Sequence, residues 1–160
     1  MINNSATYGT TKSGLITGTQ WDTIMKWYQN SNINVDTTQD WGTYYNLAYT
    51  IQGTTEKPAL WFNADLNKIT WSNSTSNASH SESNKVCFHA AGLNQCGIKK
   101  NIADLGGNVY EWTAENVSSS HVCRGGSASN SSSVSASSRG SYSTKGTDYD
   151  LGFRTVLYIQ

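Results

Sequence analysis

What this chain has little of narrows its nature first. Charged residues make up 14% of its 160 residues, and 11 basic side chains balance 11 acidic ones, so the formal net charge is zero at pH 7. A neutral chain with so few arginines lacks the electrostatic footprint of nucleic-acid binding. No basic amphipathic stretch marks a membrane surface. No apolar run approaches the ~18 residues of a membrane-spanning helix, so membrane insertion is not expected. The opening MINNSATYGTTKSG has neither the basic start nor the apolar centre of a secretory signal. Cysteines are few and odd in number, at Cys87, Cys96 and Cys123, which leaves at least one thiol without a partner inside the chain. Three reduced thiols is the plainer reading, and a Cys87–Cys96 bridge around FHAAGLNQ is the alternative. A metal site from Cys87, His89 and Cys96 lacks paired spacing and a fourth ligand.

What is there is aromatic: 6 Trp, 9 Tyr and 3 Phe, too many for a disordered chain. The length suits one domain with a modest core. Residues 1–14 are polar and read as a loop or frayed end before a domain at 15–160. LITGTQWDTIMKWYQNS reads as a helix, capped by Thr17 or Thr19, with Trp21, Ile24, Met25, Trp27 and Tyr28 on one buried face. Asp22 is placed to favour the helix dipole and to pair with Lys26, and QNSN ends the helix. Residues 32–59 suggest loops around a short extended piece near 44–51. The Ser/Asn/Thr-rich segment 70–85 reads as an exposed loop. VCFHAAG is a short strand or one helical turn. NVYEWT alternates as a strand, with Val109, Glu111 and Thr113 on one face and Tyr110 and Trp112 on the other, the last two expected in the core. HVCRGGS and LGFRTVLYI are further strands. The pattern is α+β, with unusually long loops.

Four motifs occur in order. LITGTQWD at 15–22, GGNVYEWT at 106–113, CRGGS at 123–127 and LGFR at 151–154 resemble the LPTEAEWE, GNVWEW, RGGSW and GFR elements of the formylglycine-generating sulfatase-modifying factor family, and SSRG at 137–140 stands in place of its middle arginine cluster. The resemblance covers about 15–158. It implies a loop-rich variant of the C-type-lectin-like fold and an absent N-terminal part. Read physically, the motif residues are scaffold. Trp21, Gly106, Gly107, Asn108, Glu111, Trp112, Gly125, Gly126, Gly152 and Phe153 shape turns and packing, and Arg124, Arg139 and Arg154 act as polar clamps. Glu111 is the expected acceptor for Arg124 or Arg154.

The family's oxidases bind copper(I) through two cysteines after RGGS, as soft thiolates suit that ion. Those positions fall near Asn130 and Ser135, and no cysteine follows Cys123. The resemblance therefore points to a noncatalytic recognition or structural module. The alternatives are an oxidase-type enzyme completed by the missing segment and a retroelement-diversified receptor of the kind found in phages and bacteria. Related members hold iron with histidines, but His80, His89 and His121 form no HxH or HxxxE pair. No cofactor is expected beyond a weak calcium candidate, in which Asp148 and Asp150 join Asp104, Glu111 or Glu115. The polar interval 127–150 offers a binding surface of Asn130, Ser135, Tyr142, Asp148 and Tyr149 for a protein or glycan. Trp61 and Trp71 are further candidates for exposed aromatics, or for the inner face of a small hairpin. Export or phage association is the expectation if the true N-terminus is missing or the signal is of another kind.

Overall fold

The computed structural model of the chain describes residues 7–8, 11–42, 44, 48–50, 59–63, 68–72, 77–79, 85–130, 134–143 and 148–159. They form an α+β fold. The strands are β1 (Thr7–Tyr8), β2 (Thr11–Leu15), β3 (Ala48–Thr50), β4 (Ala59–Asn63), β5 (Lys68–Ser72), β6 (Asn77–Ser79), β7 (Lys85–His89), β8 (Ile98–Lys99), β9 (Ile102–Ala103), β10 (Tyr110–Val117), β11 (Ser120–Arg124), β12 (Arg139–Ser143), β13 (Leu151–Phe153) and β14 (Thr155–Ile159). Among the described residues they make five small sheets, of order β1-β2-β14, β12-β11-β10-β13, β3-β6, β5-β4-β7 and β8-β9.

The helix α1 (Gly18–Asn30) starts where a capping box forms. The Gln20 N–H donates to Thr17 Oγ1 at 3.1 Å, and the Thr17 N–H donates to Gln20 Oε1 at 2.9 Å. Two N–H groups with no helical acceptor are thereby satisfied. Asn32, in left-handed conformation at φ 59°, turns the chain out of the helix. The buried stripe is Trp21, Met25 and Tyr28, spaced four and three apart. Trp27 departs from expectation. It lies off that stripe and is 45% exposed, because the helical turn carries it round towards solvent.

The core joins Trp21, Met25 and Tyr28 to Ile16, Val35, Trp41, Leu105 and Ala136. Its buried aromatics keep their polar ends bonded. Trp21 Nε1 donates to the Ala136 carbonyl at 2.8 Å, and the Tyr28 hydroxyl donates to the Lys99 carbonyl at 2.7 Å.

Several local readings change. Residues 11–14 are not a loop, because β2 runs from Thr11 and pairs antiparallel with β14, Thr155 opposite Leu15 and Ile159 opposite Thr11. The partner comes from the far end of the chain, so nothing local announces the strand. LGFRTVLYI is two strands, broken at Arg154 and shared between two sheets. The polar segment 70–85 contributes the end of β5 and all of β6, which pairs with β3. VCFHAAG holds the end of β7. In the β4–β5 pair Leu60 stands opposite Trp71 and Trp61 opposite Thr70. The side chains of Trp61, Trp71 and Cys87, and all of His80, lie outside the described residues.

Candidate functional site

The four-stranded sheet organises the site. Glu111, Arg124 and Arg139 stand side by side across β10, β11 and β12, and Trp112, Cys123 and Gly140 form the next row. Opposite residues share a face, and successive rows alternate. One face therefore carries Glu111, Thr113, Val122, Arg124 and Arg139. The other carries Tyr110, Trp112, His121, Cys123 and Tyr142, with Leu151 and Phe153 added by parallel β13.

The first face turns inward, and it is charged. Arg124 is fully buried. Its guanidinium donates to Asp22 and to the Ser137 and Ser138 carbonyls, and it lies over the Trp21 ring with Cζ 5.9 Å from the ring centroid. Burial lowers its pKa, against the pull of Asp22. Arg139 takes the second Asp22 oxygen at 2.5 Å and Glu115 Oε1 at 2.8 Å. Asp22 thus joins helix to sheet through two arginines, rather than serving the dipole or Lys26. It is the fifth helical residue, and the first turn holds no acid. Glu115 supplies charge there from outside, since its Oε2 lies in the space a Cβ on Gly18 would fill. Glu111 pairs with Arg154, not Arg124. Arg154 Nε reaches Oε2 at 2.8 Å and Nη2 reaches Oε1 at 2.5 Å, while Nη2 also donates to the Ala103 carbonyl. This is the two-pronged geometry a guanidinium favours. Burial pushes the Glu111 carboxyl up, and Arg154 pulls it back in part.

The glycines let loops pass close to this face. Gly125 has φ +89°, and a Cβ there would stand 2.7 Å from the Leu105 carbonyl oxygen. Gly106 leaves room for the Trp41 ring, 2.7 Å from where its Cβ would lie. Gly152 does the same for Val109. Gly107 and Gly126 are left-handed at φ 77° and 74°, and the Gly107 N–H donates to the Gly125 carbonyl at 2.9 Å. Asn108, left-handed and buried, behaves like a missing strand residue. Its side chain accepts from the His89 N–H at 3.2 Å and donates to the His89 carbonyl at 3.0 Å, stapling β7 to the entry of β10.

Beyond the glycines the chain folds inward on its own hydroxyls. Asn130 Oδ1 accepts from the Ser127 N–H at 2.7 Å. Ser135 Oγ donates to the Val35 carbonyl at 2.9 Å. Asp150, buried, accepts through Oδ2 from Ser127 Oγ at 2.8 Å and from Ser129 Oγ at 2.7 Å. The Tyr44 hydroxyl, also buried, meets Thr38 Oγ1 at 2.6 Å and the Gly125 and Val134 carbonyls at 3.2 and 3.0 Å. Residues 131–133 and 144–147 of this interval lie outside the described residues. An amide and a hydroxyl held this way do not fit copper(I), which wants a thiolate pair. Cys123 is no substitute. It is buried beneath the aromatic rings, and desolvation pushes its thiol up to about 11. Cys96 carries a free, exposed thiol.

The second face turns outward, and it is aromatic. Tyr110 and Trp112 alternate with Glu111 and Thr113 as the sequence pattern indicated, but they do not fill the core. The inner rows are taken by Glu111 and Thr113, so the rings are half-buried on the outside. Trp112 and Tyr142 meet at 80° with centroids 6.0 Å apart, Tyr110 and Tyr142 at 62° and 6.2 Å, and Trp112 and His121 at 86° and 6.3 Å. Tyr149, in contact with Phe88, and Phe153 are exposed at the rim. Burial pushes Tyr142 up to about 12, and the negative charge of Asp150 adds to it.

Of the suggested binding surface, Tyr142 belongs to the outer face and Tyr149 and Asp148 are exposed near it, while Asn130 bonds within its own loop and Ser135 ties that loop to Val35. The calcium candidates do not converge. Asp150 is bonded to serines, Glu111 to Arg154, Glu115 to Arg139, and Asp104 Oδ2 to the Gly92 N–H. Among the described residues no group of three or more His, Cys, Asp or Glu is placed to hold a metal ion. A dication at Glu111 would have to displace a bidentate arginine, so the residues present do not fit it. Trp41 and Tyr44 carry the architecture without having stood out in the sequence, and Asp22 and Asp150 stood out for other roles. Among the described residues, no helix is long and apolar enough to cross a membrane.

A family model described as "Sulfatase-modifying factor enzyme 1-like domain" matches residues 17–159. No curated protein and no solved structure matches the chain.

Proposed function

We infer that this chain, which belongs to the sulfatase-modifying factor family, works as a noncatalytic recognition module and reads its partner with the outer face of the β12-β11-β10-β13 sheet. One observation carries the reading. Near the positions where the family's oxidases hold copper(I), Asn130 accepts from the Ser127 N–H and Ser135 donates to the Val35 carbonyl, while the aromatic side chains of the adjoining sheet face outward. We also read the fold as C-type-lectin-like, on the strength of its small sheets, glycine turns and long irregular chain.

In this reading the inner face is scaffold and the outer face is working surface. Aromatic side chains with few rotatable bonds lose little entropy on binding, and Tyr and Trp offer both ring area and a polar tip. The Arg124 and Arg154 clamps hold β10 and β11 in place beneath them.

The test has two arms. The protein is screened against immobilised peptides and glycans, and separately loaded with copper(I) and offered a cysteine-containing peptide with oxygen. Binding that W112A abolishes, with no thiol oxidation, supports the reading. Copper-dependent conversion of the cysteine peptide overturns it.

A further inference from the structure

We propose that the free edge of β14 pairs with a second copy of this chain, antiparallel and about a two-fold axis at Leu157, so that two β1-β2-β14 sheets join into one continuous sheet. This surface belongs to a different sheet from the outer face assigned to recognition, and it does not depend on that reading.

The first support is what the other edges have and this one lacks. An edge strand offers a row of unpaired N–H and C=O groups, and proteins blunt such rows with short strands, charges or proline. Among the described residues, the edges β1, β8 and β9 are two residues long, and β3, β6 and β13 are three. Of the longer edges, β5 carries Lys68, β7 carries Lys85 and β12 carries Arg139. β14 is TVLYI, five residues with no charge and no proline, and of kinds that favour strands. One side of it bonds to β2 along its whole length, and no described strand bonds to the other. Val156 packs against the core, while Leu157 points the other way and is 71% exposed.

Complementarity of the edge to itself is the second support, and it names the occupant. With the axis at Leu157, that residue stands opposite its own copy, Val156 opposite Tyr158 of the second copy, and Thr155 opposite Ile159 of the second copy. A strand of odd length centred on one residue meets the antiparallel pattern whichever of its alternate residues bond to β2, since bonded and non-bonded pairs simply exchange places. No like charges meet across the axis, and the two Leu157 side chains share a face and cover each other. A charged segment of another protein finds no counter-charge on this strand, whereas a second β14 needs none. The whole chain has a formal net charge of zero, so two copies approach without the repulsion that keeps charged proteins apart. Each chain offers one such edge among the described residues, so the pairing closes at two copies.

The experiment is sedimentation velocity on the full chain over a wide range of concentration, and a monomer–dimer equilibrium is expected. L157K sets two lysines against each other at the axis and weakens the dimer by roughly tenfold or more. V117K, at an equally exposed apolar site on the other sheet, leaves the dimer unchanged. Thermal melts show whether L157K folds like the parent, as its exposure leads one to expect. Register is read separately, by treating C96S/L157C and C96S/T155C with a short bifunctional thiol reagent. Leu157 faces its own copy, whereas the two Thr155 positions stand about 13 Å apart along the strands, so only C96S/L157C is captured as a covalent dimer. This arm decides the matter if L157K melts early. A monomer at every concentration, a dimer that a folded L157K leaves as tight as before, assemblies that grow past two copies, or equal capture of the two cysteine variants overturns the proposal. A monomer whose β14 amides resist hydrogen exchange also overturns it, since the edge is then covered by the chain itself.

Discussion

The two faces of one four-stranded sheet differ in a way that inverts the usual division of labour. The inner face buries Glu111 and Arg124, and the outer face presents Tyr110, Trp112 and Tyr142 to half-exposed positions. Apolar faces normally turn in because water rejects them. Here the inner rows lie against a short strand and a loop that bring carbonyl groups with them, at Ala103 in β9 and at Ser137 and Ser138. A loop-rich interior has more backbone acceptors than strands and helices can satisfy, and a guanidinium with five donors satisfies several at once. The arginines are therefore the inward-facing residues, and the rings are left for the surface.

Breaking the inner face is expected to cost most. R154A leaves Glu111 buried without its partner and destabilises the fold by about 3–5 kcal/mol at pH 7, as removal of one member of a buried pair does. The loss shrinks in acid, where Glu111, already raised by burial, takes a proton and no longer presents an uncompensated charge. Chemical denaturation at pH 7 and pH 5 measures both, and an equal loss at the two pH values would count against Glu111 as the cause.

Next comes the buried thiol under the rings. Cys123 has its pKa raised from 9.0 to about 11. Below pH 9 both folded and unfolded thiols are protonated and the stabilisation is whole. Above it the unfolded chain releases its proton first, so stability falls with rising pH until the folded thiol also ionises. The decline amounts to roughly 2–3 kcal/mol. C123A removes that part of the alkaline transition, leaving the later fall from Tyr28 and Tyr142, each raised to about 12. Denaturant melts from pH 8 to 11 would show it. A native-state thiol reagent should label Cys96 quickly and leave Cys123 unmodified until the protein unfolds.

G125A tests the close approach that lets the loop meet the inner face. A Cβ at φ +89°, 2.7 Å from a carbonyl oxygen, is expected to cost about 2 kcal/mol. An unaltered thermal midpoint would refute the strain. Smallest is the stability effect on the outer face. Y142F should change stability by under about 0.5 kcal/mol, as surface substitutions usually do. A larger change would mean that Tyr142 is structural rather than available to a ligand.

Much of this was legible in the sequence, and the reasons it was partial are specific. The capping box of α1 depends on residues three apart, and Thr17 and Gln20 stand in plain view. The alternation of NVYEWT placed Glu111 with Thr113 and Tyr110 with Trp112, because strand geometry has a period of two. Which side of that alternation is the core was misread. Ring size argues for burial, but the decision belongs to what packs against each face. Arg154 was linked to Glu111 as one of two choices, and Asp22 was assigned to its own helix. Choosing between such pairings requires knowing which loops cross the sheet, over 102 residues of separation for Arg124 and Asp22. Trp41 and Tyr44 lie in an irregular aromatic stretch with no period to read. Asp150 reads in sequence as a calcium candidate, and only the return of the Ser127–Asn130 loop shows it to be an anchor.

By itself the sequence determined the family, the helix and its cap, the strand that carries the central motif, and the loss of the thiolate pair, since each rests on residue identity at short spacing. Only the tertiary structure decided which face of the sheet is inside, which acid each arginine holds, and that Asn130 and Ser135 are held by Ser127 and Val35. Those outcomes depend on contacts between segments far apart in the chain, and local propensity carries no information about which distant carbonyl or carboxylate a buried guanidinium will find.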